Sequence, residues 1–210
     1  MAGHRPLDQL FGRAYTPAVR LSRLELIVTL VSALLATPLA GEAQPPIRIG
    51  ASLSLTGIGA VGGQAMHRGY QLCVKHMNEK GGVLGRKLEL VLYDDGLDPA
   101  TAVRLYEKLI TQDKVDLVLG PISSPITDAV ANVTEKHRMP MMTIAPTTAL
   151  FKKGRKFVFM VAPPAEAYFE GLIDLAAKKG LKTVAVINED TIFPKAAVQG
   201  AMELAKKKGL

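Results

Sequence analysis

Val115-Asp116-Leu117-Val118-Leu119-Gly120-Pro121-Ile122-Ser123-Ser124-Pro125 is the stretch on which the fold turns. An apolar run ended by Gly-Pro reads as a buried strand, and Ser124 followed by Pro125 reads as a helix N-cap with proline at the first helical position. The amphipathic helix then runs from Pro125 to Lys136. Such a strand delivers a helix N-terminus to the edge of a sheet. There the unpaired backbone N–H groups, the positive end of the helix dipole and the hydroxyls of Ser123 and Ser124 suit a small anion such as a carboxylate. Helix capping alone is the competing role for Ser124.

Working outward, the same alternation recurs on both sides. Ile47 to Leu55 is rich in β-branched and apolar residues and predicts a first strand. After a glycine-rich turn, Met66, Gly69, Tyr70, Cys73, Val74 and Met77 share one helical face that ends at Gly81-Gly82. Leu88 to Tyr93 predicts a second strand, closed by Asp94-Asp95-Gly96. A helix from Asp98-Pro99 then packs Ala102, Leu105, Tyr106 and Leu109. After the helix carrying Ile126, Ala129, Val130 and Val133, strands are expected at Met139 to Ile144 and Phe157 to Val161. Strict strand–helix alternation implies an α/β, Rossmann-like parallel sheet with helices on both faces. Ligands of such sheets bind at the carboxyl ends of the strands. That places three loops on one rim: Leu55 to Gly63, Gly120 to Ser124, and Ala145-Pro146-Thr147-Thr148-Ala149, a second polar turn with hydroxyls and N–H groups.

Pro163-Pro164 marks a stiff crossing between domains, preceded by Lys152-Lys153-Gly154-Arg155-Lys156, expected to be a solvated loop. Beyond the crossing the pattern restarts with a helix from Ala165 to Lys179, a strand from Thr183 to Ile187, the turn Asn188 to Pro194 and a helix from Lys195 to Lys208. Ala177-Lys178-Lys179-Gly180-Leu181 is echoed by Lys206-Lys207-Lys208-Gly209-Leu210. Residues 44–162 are therefore expected to form a ligand-binding lobe, and residues 163–210 the start of an incomplete second lobe. Two helices and one strand bury too little apolar surface to stand alone. The sequence thus reads as a truncated product or fragment, with weak or no binding expected of the 210-residue form.

With 48% hydrophobic and 21% charged residues, disorder is excluded over most of the chain. Arg20 and Arg23, the apolar core Leu26 to Ala36, Pro38 and the small residues near Gly41-Glu42-Ala43 make residues 1–43 a secretory signal. A membrane anchor is the competing reading, but the core is 11 residues long, against the roughly 20 a span requires. No cysteine lies near the cleavage point, which argues against a lipid anchor. The remainder carries 22 basic and 16 acidic side chains. Much of the excess sits at helix ends such as Lys178-Lys179 and Lys206-Lys207-Lys208, where cations complement the dipole. That pattern is a solvated face, and no nucleic-acid partner is implied. The single Cys73 cannot form an intramolecular disulfide and is expected to be a packed thiol.

Gly57-Ile58-Gly59-Ala60-Val61-Gly62 matches the dinucleotide fingerprint but fails on spacing. The acid expected about 20 residues further on is absent, since Asp94 lies 32 positions past Gly62. A turn allowing close backbone approach is the alternative. His67, His76 and His137 form no ligand pair, no paired cysteines or G-x-S-x-G elbow occur, and Ser123 and Ser124 have no base nearby in sequence. Metal, cofactor and catalysis are accordingly not expected. Asp94-Asp95 reads as a pair of solvated loop acids.

Ser54-Leu55-Thr56-Gly57, Asn78-Glu79-Lys80-Gly81-Gly82-Val83-Leu84-Gly85-Arg86, Leu88-Glu89-Leu90, Asp94-Asp95 and Pro99-Ala100 together closely resemble the periplasmic leucine/isoleucine/valine-binding proteins of ABC importers. The likeness covers nearly all of residues 46 to 208. It implies a type I periplasmic-binding fold of two Rossmann-like lobes that close on a ligand, here the first lobe plus the start of a second. It implies a periplasmic, monomeric, non-enzymatic binding protein. The ligand would be a branched-chain or related amino acid, or a similar small carboxylate, passed to a membrane permease. The resemblance assigns the ligand's charged groups to Ser124 and to Thr147, Thr148 and Ala149, where the family often has Ala-Thr in place of Thr148-Ala149. It assigns the closing aromatic to Phe193, where tyrosine is common. A membrane sensor using the same fold, or a non-functional gene fragment, are the alternative readings.

Overall fold

The computed structural model describes residues 44–210; the secretory signal expected over residues 1–43 lies outside the described residues. Five parallel strands form one sheet: β1 (Ile47–Leu53), β2 (Leu88–Asp94), β3 (Leu117–Leu119), β4 (Met141–Thr143) and β5 (Val158–Met160), in the order β2-β1-β3-β4-β5. The crossovers carry α1 (Ala60–Glu79), α2 (Pro99–Thr111) and α3 (Ser124–His137); α4 (Glu170–Lys178) and α5 (Ile192–Lys208) follow the sheet. Strand order reverses between β1 and β3, so the crevice outside their carboxyl ends is where this topology binds ligands.

Register decides which side chains share a face. Gly50 lies opposite Val91 and Val118, and Val118 opposite Met141, which lies opposite Val158. This row meets Ala102, Tyr106 and Leu109 of α2 and Ile126, Val130 and Val133 of α3 in the main core. Tyr106 is fully buried, and its hydroxyl donates to the Leu119 carbonyl at 2.5 Å, so the one polar atom of this large side chain is satisfied. The alternate residues, Ile49, Leu90, Leu117 and Leu119, face α1, where Tyr70 and Val74 close over them. Helices lie on both faces as expected, α2 and α3 on one and α1 on the other, but the cover on the α1 side is not complete. Helix α1 lies over β1 and β2, and Met142, Ile144, Phe159 and Val161 remain exposed on the same side of β4 and β5. Cys73 is exposed rather than packed: with Tyr70 and Val74 it lines an open apolar groove between α1 and the sheet.

Side-chain-to-backbone bonds set the ends of these elements. Asn78 at the end of α1 accepts from the Leu88 N–H and donates to the Leu88 carbonyl, pinning the helix to the first residue of β2. Arg86 reaches back to the carbonyls of Pro45 and Pro46. Asp98 caps α2 by accepting from Thr101 N at 2.7 Å. The basic loop expected to be solvated is partly locked instead. Arg155 donates to the Leu150 and Asp128 carbonyls and to the Asp128 carboxylate, and its side chain is only 6% exposed. That network ties the loop to α3.

Beyond Pro164 the structure departs further from the sequence reading. The helix expected from Ala165 resolves into a short 3-10 turn, Ala165–Ala167, followed by α4. Residues 183–187 form no strand: the sheet ends at β5, no neighbouring strand among the described residues supplies backbone partners, and Ile187 is fully exposed. Helix α5 begins at Ile192 rather than Lys195, with Pro194 inside its first turn, where a missing N–H costs nothing. No helix among the described residues is long and apolar enough to cross a membrane.

The glycine turn after β1 is built on contact. A Cβ on Gly63 would lie 2.1 Å from the Ser54 carbonyl oxygen, whereas one on Gly69, further along α1, would meet nothing within 4 Å. Gly63→Ala is expected to destabilise the chain by about 1–3 kcal/mol through overpacking, and Gly69→Ala to stabilise it by roughly 0.5–1 kcal/mol through helix propensity. Urea unfolding midpoints of the two variants check this opposite pair of signs.

Candidate functional site

The rim begins with a buried carboxylate. Asp95 follows β2, is 2% exposed, and accepts from Ser52 Oγ at 2.8 Å, Ser54 Oγ at 2.7 Å and Leu97 N at 3.0 Å. The expectation of two solvated acids is therefore corrected for Asp95. Successive side chains of a strand end point to opposite sides, and the inward one meets the two serines of β1 and its end. Asp94 is exposed and accepts from Thr56 Oγ1, Leu55 N and Gly96 N. Partial desolvation acts to raise its pKa, but the hydrogen bonds from Thr56, Gly96 and Leu55 prevail and hold the carboxyl below its ordinary value. The two acids fasten the ends of β1 and β2 together.

Ser123, not Ser124, occupies the N-cap of α3, with extended backbone at φ −80° and ψ 128°. Among the described residues its hydroxyl makes no capping bond. Ser124 is the first helical residue, with Pro125 next. The shift goes with a long-range contact: Ser124 is 3% exposed and its Oγ accepts from Thr147 Oγ1 at 3.2 Å, so its side chain is committed across to the turn after β4. Thr143 and Thr127 both donate to the Pro121 carbonyl, fixing the approach to the helix. Neither serine is a plain cap.

A cleft of about 470 Å³ opens at this point. Ser123, Ser124 and Pro125 form one wall with Leu97, Ile122, Ile144 and Pro146; Tyr168, Glu189, Thr191, Phe193 and Pro194 form the other. The second wall contains the N-cap and first turn of α5, as the first contains those of α3. Two helix N-termini thus share one cleft, each with unpaired N–H groups and the positive end of its dipole. The hydroxyls of Ser123, Ser124 and Thr191 stand beside them, and no Lys or Arg lines the cleft among the described residues. Phe193 meets Tyr168 edge to face, ring centroids 5.6 Å apart at 72°. The arrangement suits a small acid: dipoles and hydroxyls for the anionic end, and aliphatic and aromatic surface for the rest.

Of the residues singled out from sequence, Ser123, Ser124 and Phe193 line the cleft, and Thr147 lies behind it, 2% exposed and bonded to Ser124. Thr148 and Ala149 line a different depression with Lys152, Glu166 and Glu203, and Thr148 Oγ1 donates to Glu166 Oε1 at 2.5 Å. Leu97, Ile122, Ile144, Pro146, Tyr168, Glu189 and Thr191 were missed. Four of them stand at or just beyond the carboxyl ends of β2, β3 and β4, so the rim rule itself was the available signal. Tyr168, Glu189 and Thr191 come from beyond the crossing and had none. Among the described residues no group of His, Cys, Asp or Glu is arranged to hold a metal ion.

Comparison with known proteins agrees with the fold. A family model described as periplasmic binding protein matches residues 46–210. The Leu/Ile/Val-binding protein BraC3 of Rhizobium johnstonii is 32% identical over 176 residues, covering 81% of this chain and 46% of the relative. The substrate-binding protein LivJ of a branched-chain amino acid transporter from Streptococcus pneumoniae, solved with isoleucine, superposes with a TM-score of 0.71 at 26% identity, covering 77% of this chain and 47% of that one. A solute-binding protein of an ABC transporter from Rhodopseudomonas palustris, solved with 3,4-dihydroxybenzoic acid, gives 0.71 at 25% identity over 79% of this chain and 45% of that one. The chain spans about half the length of the curated relatives it matches.

Because the folded-state pKa of Asp94 is depressed, its stabilisation is complete above the ordinary carboxylate value near pH 4 and is lost as pH falls through the depressed value. Asp94→Asn is expected to be less stable than the parent at pH 7, with the gap narrowing as pH falls below the ordinary carboxylate value of about 4. Urea midpoints at pH 7, 4 and 3 measure this, and a gap that does not narrow on acidification contradicts it.

Proposed function

The chain belongs to the periplasmic binding protein family, and from that premise we propose that it is an extracytoplasmic, non-catalytic binding protein. It takes up a small carboxylate, an amino acid of branched-chain or related type or a similar acid, and hands it as a single chain to the membrane permease of an ABC importer. Secretion rests on the signal read in residues 1–43.

One observation carries the ligand class: the first turns of α3 and α5 open onto the same cleft, with Ser123, Ser124 and Thr191 among its lining and no cationic side chain there among the described residues. A carboxylate is stabilised by two dipole ends and by N–H and O–H donors at that spot, whereas a cation is not. Ser124 serves the anion directly, Thr147 orients the Ser124 hydroxyl from behind, and Phe193 with Tyr168 supplies the aromatic wall. Glu189 on the same cleft is the one acid available to an ammonium group. Thr148 and Ala149 contribute through the course of their backbone turn, since the Thr148 hydroxyl is engaged by Glu166. The relatives BraC3 and LivJ are named for branched-chain amino acids, which supports the amino-acid form of the reading.

The test is Ser124→Ala, titrated with L-leucine at millimolar concentration by NMR or calorimetry. Loss of a hydrogen bond to a charged group is expected to weaken binding about tenfold or more. Unchanged affinity contradicts the carboxylate role of Ser124.

A further inference from the structure

The turn between β2 and α2 holds a leucine where its backbone disfavours one. Gly96 and Leu97 both lie in the left-handed region, at φ +58° and +66°, and Asp98 N donates to the Asp95 carbonyl at 3.0 Å. Two positive φ values inside such a closed turn define the type I′ geometry, whose central positions are dominated by Gly, Asn and Asp. An aliphatic side chain there carries a steric cost that the surroundings must offset.

The offset is visible. Asp95 accepts from Leu97 N through the same oxygen that accepts from Ser54, so the strained residue hangs from a buried carboxylate. Gly59 gives the side chain room: a Cβ there would sit 3.3 Å from Leu97 Cδ1. The Leu97 side chain packs in part against the edge of the core and in part lines the cleft, on the wall that carries Ser123 and Ser124. A fold seeking only a stable turn has cheaper residues for this position. What leucine adds over Gly or Asn is apolar surface, and the cleft is one of the two places where that surface is presented.

We propose that Leu97 is a specificity-determining residue: it bounds the ligand's apolar body and favours acids with a branched aliphatic or aromatic body over small ones. The inference rests on the carboxylate reading of the cleft. It adds that the apolar selectivity is set from the β2–α2 turn, with Asp95 as the positioning residue that holds Leu97 in its conformation.

The experiment compares the parent chain with Leu97→Asn, Leu97→Ala and Leu97→Met. Probes are L-leucine against L-alanine and benzoate against acetate, titrated by NMR, with thermal denaturation confirming folding. Asn suits the turn and safeguards folding while removing the apolar tip. The preference for the bulkier acid in whichever pair binds is expected to fall about tenfold in Leu97→Asn and Leu97→Ala, the range for losing methylenes from an apolar pocket, and to be retained by Leu97→Met. Folded Asn and Ala variants with an unchanged preference overturn the inference while leaving the carboxylate reading intact, since a residue that only packs lowers the melting temperature without moving the ratio. Binding of a probe by the parent that Ser124→Ala leaves unchanged overturns the carboxylate reading, and this inference with it.

Discussion

The Asp95 carboxylate, buried between Ser52, Ser54 and the Leu97 amide, is the contact from which the rim of this molecule is set out. A buried carboxylate is tolerable only when its oxygens are supplied with donors, and here the donors come from two different segments of chain. The end of β1 is thereby held to the start of the β2–α2 turn. Ser54, fixed in this way, becomes the surface on which the glycine turn closes. Gly59 and Gly63 approach it so tightly that a side chain at either would strike it. Within the G-x-G-x-x-G pattern Gly59 and Gly62 answer to packing, the latter against Ile122, whose Cδ1 would lie 3.0 Å from a Cβ placed there, while Gly57, with open space around it, answers to its φ of +68°.

From that rim the electrostatics follow. Strand order brings the carboxyl ends of β1 and β3 side by side, and the chain leaving β3 turns at once into α3, so a helix N-terminus arrives at the crevice without a long loop. Helix α5 brings a second from the far side of the Pro163-Pro164 crossing, which is itself held to the β4 turn by Ala165 N donating to the Pro146 carbonyl at 2.8 Å. Two dipole ends and three hydroxyls can hold an anion without a lysine or arginine, whose full charge would bind acids of every shape with less regard for their bodies. Selectivity is then left to the apolar walls.

The α/β order and the parallel sheet were legible in the sequence because each strand is a run of apolar residues bounded by turn signals, and each crossover helix repeats its apolar face. The resemblance drawn from Ser54-Leu55-Thr56-Gly57 through Pro99-Ala100 named the family that the comparisons show. Other features depend on long-range pairing and were out of reach. Asp95 looked solvated because nothing local reveals that Ser52 and Ser54, over forty positions away, would point at it. Ser124 looked like a cap because its partner Thr147 belongs to another crossover. Thr183 to Ile187 has every local mark of a strand, yet a strand exists only with a neighbour, and none is present among the described residues. The bare side of β4 and β5 has the same origin: alternation predicts that both faces want cover, but not which helix supplies it.

The central claim, that a small carboxylate sits between the N-termini of α3 and α5, is tested most directly by mapping amide shifts of the labelled chain during a titration with L-leucine. The account predicts that the largest changes fall on Ser123, Ser124, Ile126, Thr191 and Phe193, with the Lys152 and Glu203 region unmoved. Shifts centred instead on Thr148, Glu166 and Glu203, or on the apolar groove between α1 and the sheet, would contradict it.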